Sequence, residues 1–197
     1  MARYRRSRTK GGSYFFTVAL ADRSSDFLTA NVDVIHAAYC ATQKAAPFHC
    51  SAFVLLPDHI YAVWTLPQDD DDFSIRWARF KTYVSRRKPP SRTRSSSKVA
   101  KREKGLWQRR FWEHAIRDET DYFRHVAYCW GNPVTHRLVA TPLEWPFSSF
   151  HRDVKRGVVS SDWTGEVDAS VKGNSQIPVG RASAYSARLM GSKNSVG

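Results

Sequence analysis

The chain has 197 residues, enough for one domain with a proper core and short tails. Its 31 Lys and Arg outnumber 18 Asp and Glu, and the net charge of +13 calls for a polyanionic partner. Three cysteines, an odd number without a close pair, exclude a disulfide framework or zinc knuckle and fit a reducing cytoplasm, and no run reaches the ~20 apolar residues of a membrane helix.

Residues 1–12 form a basic arm carrying Arg3, Arg5, Arg6, Arg8 and Lys10, hinged by Gly11-Gly12. Such an arm suits either phosphate contact or a solvated tail. The run Tyr14 to Ala21 ends in Ala-x-Ala, but it is short, aromatic and interrupted by Thr17, so it reads as a first strand rather than an export signal. From Thr29 to Lys44, Val32, Ile35, Ala38, Tyr39 and Thr42 recur at helical spacing, with Thr29 or Asn31 as candidate caps and Pro47 as the stop. Strands are expected over 48–56 and 59–66, joined by Pro57-Asp58. Alternation then points His59 and Tyr61 to one face and Ile60 to the core.

Asp69 to Asp72 is an acidic run. Consecutive carboxylates do not converge on one ion without a dedicated loop, so it reads as a solvated turn into a helix N-terminus. That helix, Phe73 to Arg87, buries a stripe of Phe73, Trp77, Phe80 and Val84. Residues 81–110 then hold twelve Lys and Arg and one acid, Glu103, around Pro89-Pro90 and a Ser-rich run. This reads as a flexible basic loop, 88–106, on nucleic acid. Trp112 to Arg117 is a short strand. Asp118-Glu119 opens a helix, Tyr122, Val126, Cys129 and Trp130 recur along it, and Pro133 closes it after Asn132. Tyr128 and Asn132, four apart, share a face. Residues 168–197 are small and polar, a tail expected to be disordered. The order β-α-β-β-α-β-α predicts an α+β sandwich of ferredoxin-like or RRM-like type, with helices on a central antiparallel sheet.

Five stretches together carry a resemblance. They are Tyr4-Arg5-Arg6 with Lys10-Gly11-Gly12 and Phe15-Phe16-Thr17-Val18; Leu56-Pro57-Asp58-His59; Trp107-Gln108 with Phe111 to Arg117; Tyr128 with Asn132-Pro133-Val134; and Trp145 to Asp153. Over residues 3–166 the chain resembles the REP-associated tyrosine transposases, within the HUH single-strand DNA nucleases. The resemblance implies a domain spanning 13–167 that recognises REP-type hairpins and single-stranded DNA, with a Mg²⁺ or Mn²⁺ cofactor. It implies Tyr128 as nucleophile, forming a 5′-phosphotyrosine, and His59 and Asn132 as metal ligands. His114 is a spare imidazole within these motifs.

The resemblance fails at one central position. The family's metal pair is His, an apolar residue, then His, whereas this chain has His59-Ile60-Tyr61. A neutral phenol is a poor ligand for a hard cation, so Tyr61 weakens the site. Two functions follow: a DNA nickase and strand transferase, or a cleavage-deficient hairpin-binding protein on the same scaffold. An RNA-binding module is a weaker third reading. DNA contacts are expected from Arg3, Arg5, Arg6, Lys10, Arg92, Arg94, Lys98, Lys101, Arg102, Arg109 and Arg110, in a protein that acts as a monomer.

Overall fold

A computed structural model describes residues 8–87, 96–167 and 171. The chain runs β1 (Ser13–Ala19), α1 (Phe27–Ala30), α2 (Val32–Ala45), β2 (His49–Leu55), β3 (His59–Thr65), α3 (Phe73–Arg86), α4 (Ser96–Ala100), β4 (Trp112–Ala115), α5 (Glu119–Thr135), a 3-10 turn (Pro142–Glu144) and α6 (Phe150–Lys155). The strands form one sheet in the order β2-β3-β1-β4 with every neighbour antiparallel, the expected ferredoxin-like plan.

Alternation along the strands sends side chains to two layers, and both are buried. Tyr14, Phe16 and Val18 of β1 and Ile60, Ala62 and Trp64 of β3 pack with the Phe73, Trp77, Phe80 and Val84 stripe of α3. Trp64 and Trp77 stack with ring centres 4.1 Å apart. The opposite face carries Phe15, Val54, Tyr61 and Val63 beneath Val126, Tyr128, Cys129 and Trp130 of α5. His59 and Tyr61 therefore face a second core, not an open surface.

The acidic run behaves as its composition dictates. Asp72 caps α3 by accepting from the backbone N–H groups of Ser74 and Ile75, and Asp70 pairs with the buried Arg76 at 2.7 Å. The Trp145-to-Asp153 stretch closes the free edge of β2, which would otherwise leave backbone groups unpaired. Leu55 N–H donates to Phe147 O, Ser149 N–H donates to Phe53 O, and Trp145 Nε1–H donates to Leu55 O.

Three expectations need correction. Pro133 does not close its helix: α5 continues to Thr135. Proline removes one N–H donor, but the later bonds remain. His136 N–H reaches Asn132 O, Arg137 N–H reaches Val134 O, and Leu138 N–H reaches Pro133 O. The last two form a Schellman ending, with Arg137 at φ 56° where glycine is usual. The expected basic loop also contains α4, ended by Arg102 at φ 55°. Its Lys98-Val99-Ala100 core has adequate helix propensity despite the serines before it. In the expected tail, Val171 is buried on the α5 side of the sheet. Residues 1–7, 88–95, 168–170 and 172–197 lie outside the described residues, and with them Arg3, Arg5, Arg6, Arg92 and Arg94. Among the described residues no helix is long and apolar enough to cross a membrane.

Candidate DNA-cleavage site

The site lies where the start of β3 meets the C-terminal half of α5. Antiparallel pairing sets Ala19 opposite His59 and Thr17 opposite Tyr61, so β1 presents small side chains beside both rings. Asp58, in the turn before β3, accepts a hydrogen bond from His59 Nδ1–H at 2.6 Å. The other Asp58 oxygen pairs with Arg23 Nε at 2.8 Å. A carboxylate on Nδ1 fixes the tautomer and leaves the Nε2 lone pair free, the arrangement that presents a histidine to a metal. Burial pushes His59 below the usual imidazole range, with Asp58 acting in the opposite direction, so the ring is held neutral.

α5 supplies the facing groups. Asp118 caps it by accepting from Asp121 N–H. Tyr128, Asn132 and His136 follow at i, i+4 and i+8 on one stripe. The Asn132 amide nitrogen donates to the Tyr128 carbonyl, which leaves Oδ1 as the outward atom. His59 Nε2, Asn132 Oδ1 and Thr17 Oγ1 are buried with no hydrogen-bond partner among the described residues. Buried polar atoms are normally paired, so orphans on facing elements mark a place for a ligand.

The two tyrosines are coupled. Their ring centres lie 5.5 Å apart, edge to face. Burial drives Tyr61 well above the ordinary phenol range, and Tyr128 adds to the effect. Tyr128 is also raised by burial, but hydrogen bonding from Tyr61 and then Asn132 pulls it back. Tyr61 is thus a neutral donor toward Tyr128. His136, at the end of α5, sets its ring 5.1 Å from that of His59.

His114 stands elsewhere. Its Nε2 bonds Asp121 Oδ2 at 2.9 Å, and His125 Nδ1 lies 3.1 Å from Asp121 Oδ1. These three residues form a possible metal-binding group, with ligand atoms within 4.8 Å of one another. Asp121 also accepts from the Arg117 backbone N–H at 3.0 Å, so its oxygens are already engaged and hold β4 to α5. Phe15 separates this group from the tyrosines, touching His125 at 5.0 Å and Tyr128 at 5.6 Å.

Of the residues expected at the site, Tyr61 packs against both His59 and Tyr128, and Asn132 bonds the Tyr128 carbonyl. Arg23, Asp58 and His136, not among the expected site residues, also gather around His59. Asp58 and His136 were legible in principle, one beside His59 and the other one turn past Asn132. Of the described basic candidates, Lys10, Lys101, Arg102, Arg109 and Arg110 are exposed and Lys98 is half-buried. Arg109 is tied to Glu103 at 3.0 Å and to Ser97 at 2.9 Å, which partly spends its charge within the protein.

No family model matches the chain. It is 45% identical over 175 residues to a putative REP-associated tyrosine transposase of Haemophilus influenzae, covering 88% of this chain and 99% of that one. It is 44% identical over 167 residues to the REP-associated tyrosine transposase of Escherichia coli K12, covering 85% and 93%. It is also similar to a solved structure of a REP-associated tyrosine transposase bound to a REP hairpin. The TM-score there is 0.75 at 43% identity, with 88% of this chain and 97% of the other covered.

Proposed function

The chain belongs to the REP-associated tyrosine transposases, and on that premise we propose that it binds REP-type DNA hairpins and nicks the adjoining single strand through Tyr128. The observation that carries this reading is the Tyr128 ring packed edge to face on Tyr61, itself against His59, with His59 Nε2 and Asn132 Oδ1 both buried and unpartnered. The solved relative holds a REP hairpin, and this chain is read as taking the same class of target.

The Tyr128 oxygen, made more acidic by the Tyr61 hydroxyl, loses its proton and attacks the scissile phosphorus. The new O–P bond forms as the bond from phosphorus to the 3′ oxygen breaks, and the departing 3′ oxygen takes up a proton. The product is a 5′-phosphotyrosine and a free 3′ hydroxyl. Attack by that hydroxyl, or by another, reverses the step and joins strands. His59 and Asn132 would hold a divalent ion. Their nitrogen and oxygen donors suit Mn²⁺ or Mg²⁺, which when bound neutralises charge on the phosphate. Asp58 and Arg23 keep the His59 lone pair aimed at that place.

The arm 1–12 and the basic 88–106 region lie along phosphates and fix the hairpin against the 13–167 domain, through Arg3, Arg5, Arg6, Lys10, Arg92, Arg94, Lys98, Lys101, Arg102, Arg109 and Arg110. The protein works as a monomer in the cytoplasm, where its free Cys40, Cys50 and Cys129 stay reduced. The test is Tyr128→Phe with labelled hairpin DNA and Mn²⁺. The covalent adduct should vanish while hairpin affinity stays within about threefold, because one hydroxyl is lost and little surface. An adduct that persists would move the nucleophile to Tyr122. One observation favours a second reading: with Tyr61 in the place of an imidazole, the chain binds hairpins without cutting. Absence of adduct in the natural chain at any Mn²⁺ concentration selects that reading.

A further inference from the structure

We propose that His136 supplies, from the end of α5, the imidazole that β3 lacks, so that one divalent cation is held between His59, Asn132 and His136. This rests on the reading of the Tyr128 face as a metal-dependent site, and it adds to that reading a ligand that no strand motif contains.

Tyr128, Asn132 and His136 lie at successive four-residue steps, and the His136 N–H still bonds Asn132 O at 2.8 Å, so the stripe stays in helical register to its last member. Pro133 therefore does not throw His136 off the face. The Schellman bonds of Arg137 and Leu138 turn the chain away immediately afterwards, and Leu138 is buried in the same core. The backbone of His136 is fixed from both sides.

The His59 and His136 rings have centres 5.1 Å apart with 65° between their planes. Two imidazoles bound to one ion through bonds of about 2.1 Å, at angles from 90° to tetrahedral, have centres about 4.5–5.2 Å apart. The observed separation falls in that range without any movement. His59 Nε2 is buried without a partner, and the half-buried His136 ring stands edge-on to it. Buried imidazole nitrogens normally bond a carbonyl or carboxylate, as His59 Nδ1 and His125 Nδ1 do here. The Asn132 oxygen, buried without a partner one helical turn before His136, completes two nitrogens and one oxygen. Such a set leaves room for phosphate and water, and its nitrogens favour Mn²⁺ over Mg²⁺.

Tyr61 then has a different task. Its ring lies edge to face with that of Tyr128, 5.5 Å between centres, and no ligand is required of it. The strand gives one imidazole and a donor to the nucleophile, and the helix gives the second imidazole.

The experiment uses the full chain, Mn²⁺ alone, and pulsed EPR of the bound ion, which counts coordinated imidazole nitrogens without any DNA. The natural chain should show two, and His136→Ala one, with Mn²⁺ affinity reduced tenfold or more. His136→Gln, which keeps bulk and an oxygen donor, should recover part of the affinity while still showing one nitrogen. Hairpin affinity measured on each variant certifies the fold. His114→Ala should leave the two-nitrogen signal intact. If that variant loses the signal, the ion sits at Asp121 and the proposal fails. It fails equally if the natural chain shows a single nitrogen, or if His136→Ala keeps two. A natural chain that forms the Tyr128 adduct yet shows no imidazole-bound Mn²⁺ overturns this ligand set and leaves the nucleophile assignment standing. A two-nitrogen signal that depends on His136, together with an adduct that survives Tyr128→Phe, does the reverse.

Discussion

Tyr61→Phe removes one oxygen from the middle of the site and leaves its ring. That ring is 1% exposed, stacked on Phe15 at 5.6 Å and edge-on to His59 and Tyr128. Packing and stability should barely change. What changes is the hydrogen bond that pulls Tyr128 down from the high value burial gives it. The sign follows: without that donor the Tyr128 phenol becomes harder to ionise, and the rise of activity with pH moves to more alkaline values. A net hydrogen bond contributes about 0.5–1.5 kcal/mol, so phenolate falls about two- to tenfold at any pH below its titration. Single-turnover adduct formation from pH 7 to 10 should show that deficit at the neutral end and convergence at the alkaline end. Hairpin affinity should be unchanged. Carbon-13 labelling of tyrosine Cζ reads the Tyr128 titration directly, whether or not the DNA is cut. A limb that stays in place, or moves to lower pH, refutes the idea that Tyr61 donates to Tyr128.

Arg137→Gly should stabilise the fold by about 0.5–1 kcal/mol in urea denaturation, since a left-handed residue costs about 1–2 kcal/mol and the freer unfolded chain takes part of that back. Gly131→Ala should do the opposite. A Cβ there would sit 2.6 Å from Val167 Cγ1 and 2.7 Å from Gly165 O, and an overpacking cost of about 1–3 kcal/mol exceeds the gain of about 1 kcal/mol from alanine in a helix. A stabilised variant would show that residues 165–167 do not press on α5. Neutralising Lys98, Lys101 and Arg102 together should weaken hairpin binding and flatten its dependence on salt, because fewer counterions are released. An unchanged slope removes these residues from the interface.

The strands and the α3 stripe were legible because period-2 and period-3.6 patterns there agree with the burial that followed. The acidic run was legible because carboxylates at a helix start have one cheap use. The end of α5 was not. Proline inside a helix is locally unfavourable, so Pro133 read as a stop, while the packing of Leu138 and two Schellman bonds carry the helix three residues further. That single misreading hid His136. A helix ending at Asn132 leaves His136 in a loop, and a helix ending at Thr135 puts it on the Tyr128 stripe. Arg23 was hidden for another reason. It reaches Asp58 only because β1 pairs with β3, and no local spacing records a contact 35 residues long.

The chemistry of this site depends on how α5 is seated on β3. The strand contributes His59 and Tyr61, and the helix contributes Tyr128, Asn132 and His136, so no single element holds enough to act. Reacting groups misplaced by about 1 Å can lose about a hundredfold in rate. Three contacts set the seating. At its start, Asp121 ties α5 to His114 of β4. In its middle, Gly131 admits the 165–167 segment at a distance that no side chain would allow. At its end, Leu138 enters the core that holds Tyr61 and Tyr128. All three lie off the reacting atoms, and each fixes one point along the helix axis. Asp121 is also held by the Arg117 N–H, so its tie outlasts the loss of His114. Loss of the Gly131 or the Leu138 contact should lower adduct formation by more than it lowers global stability, because a tilt too small to unfold the domain still separates the His59 lone pair from the Asn132 oxygen.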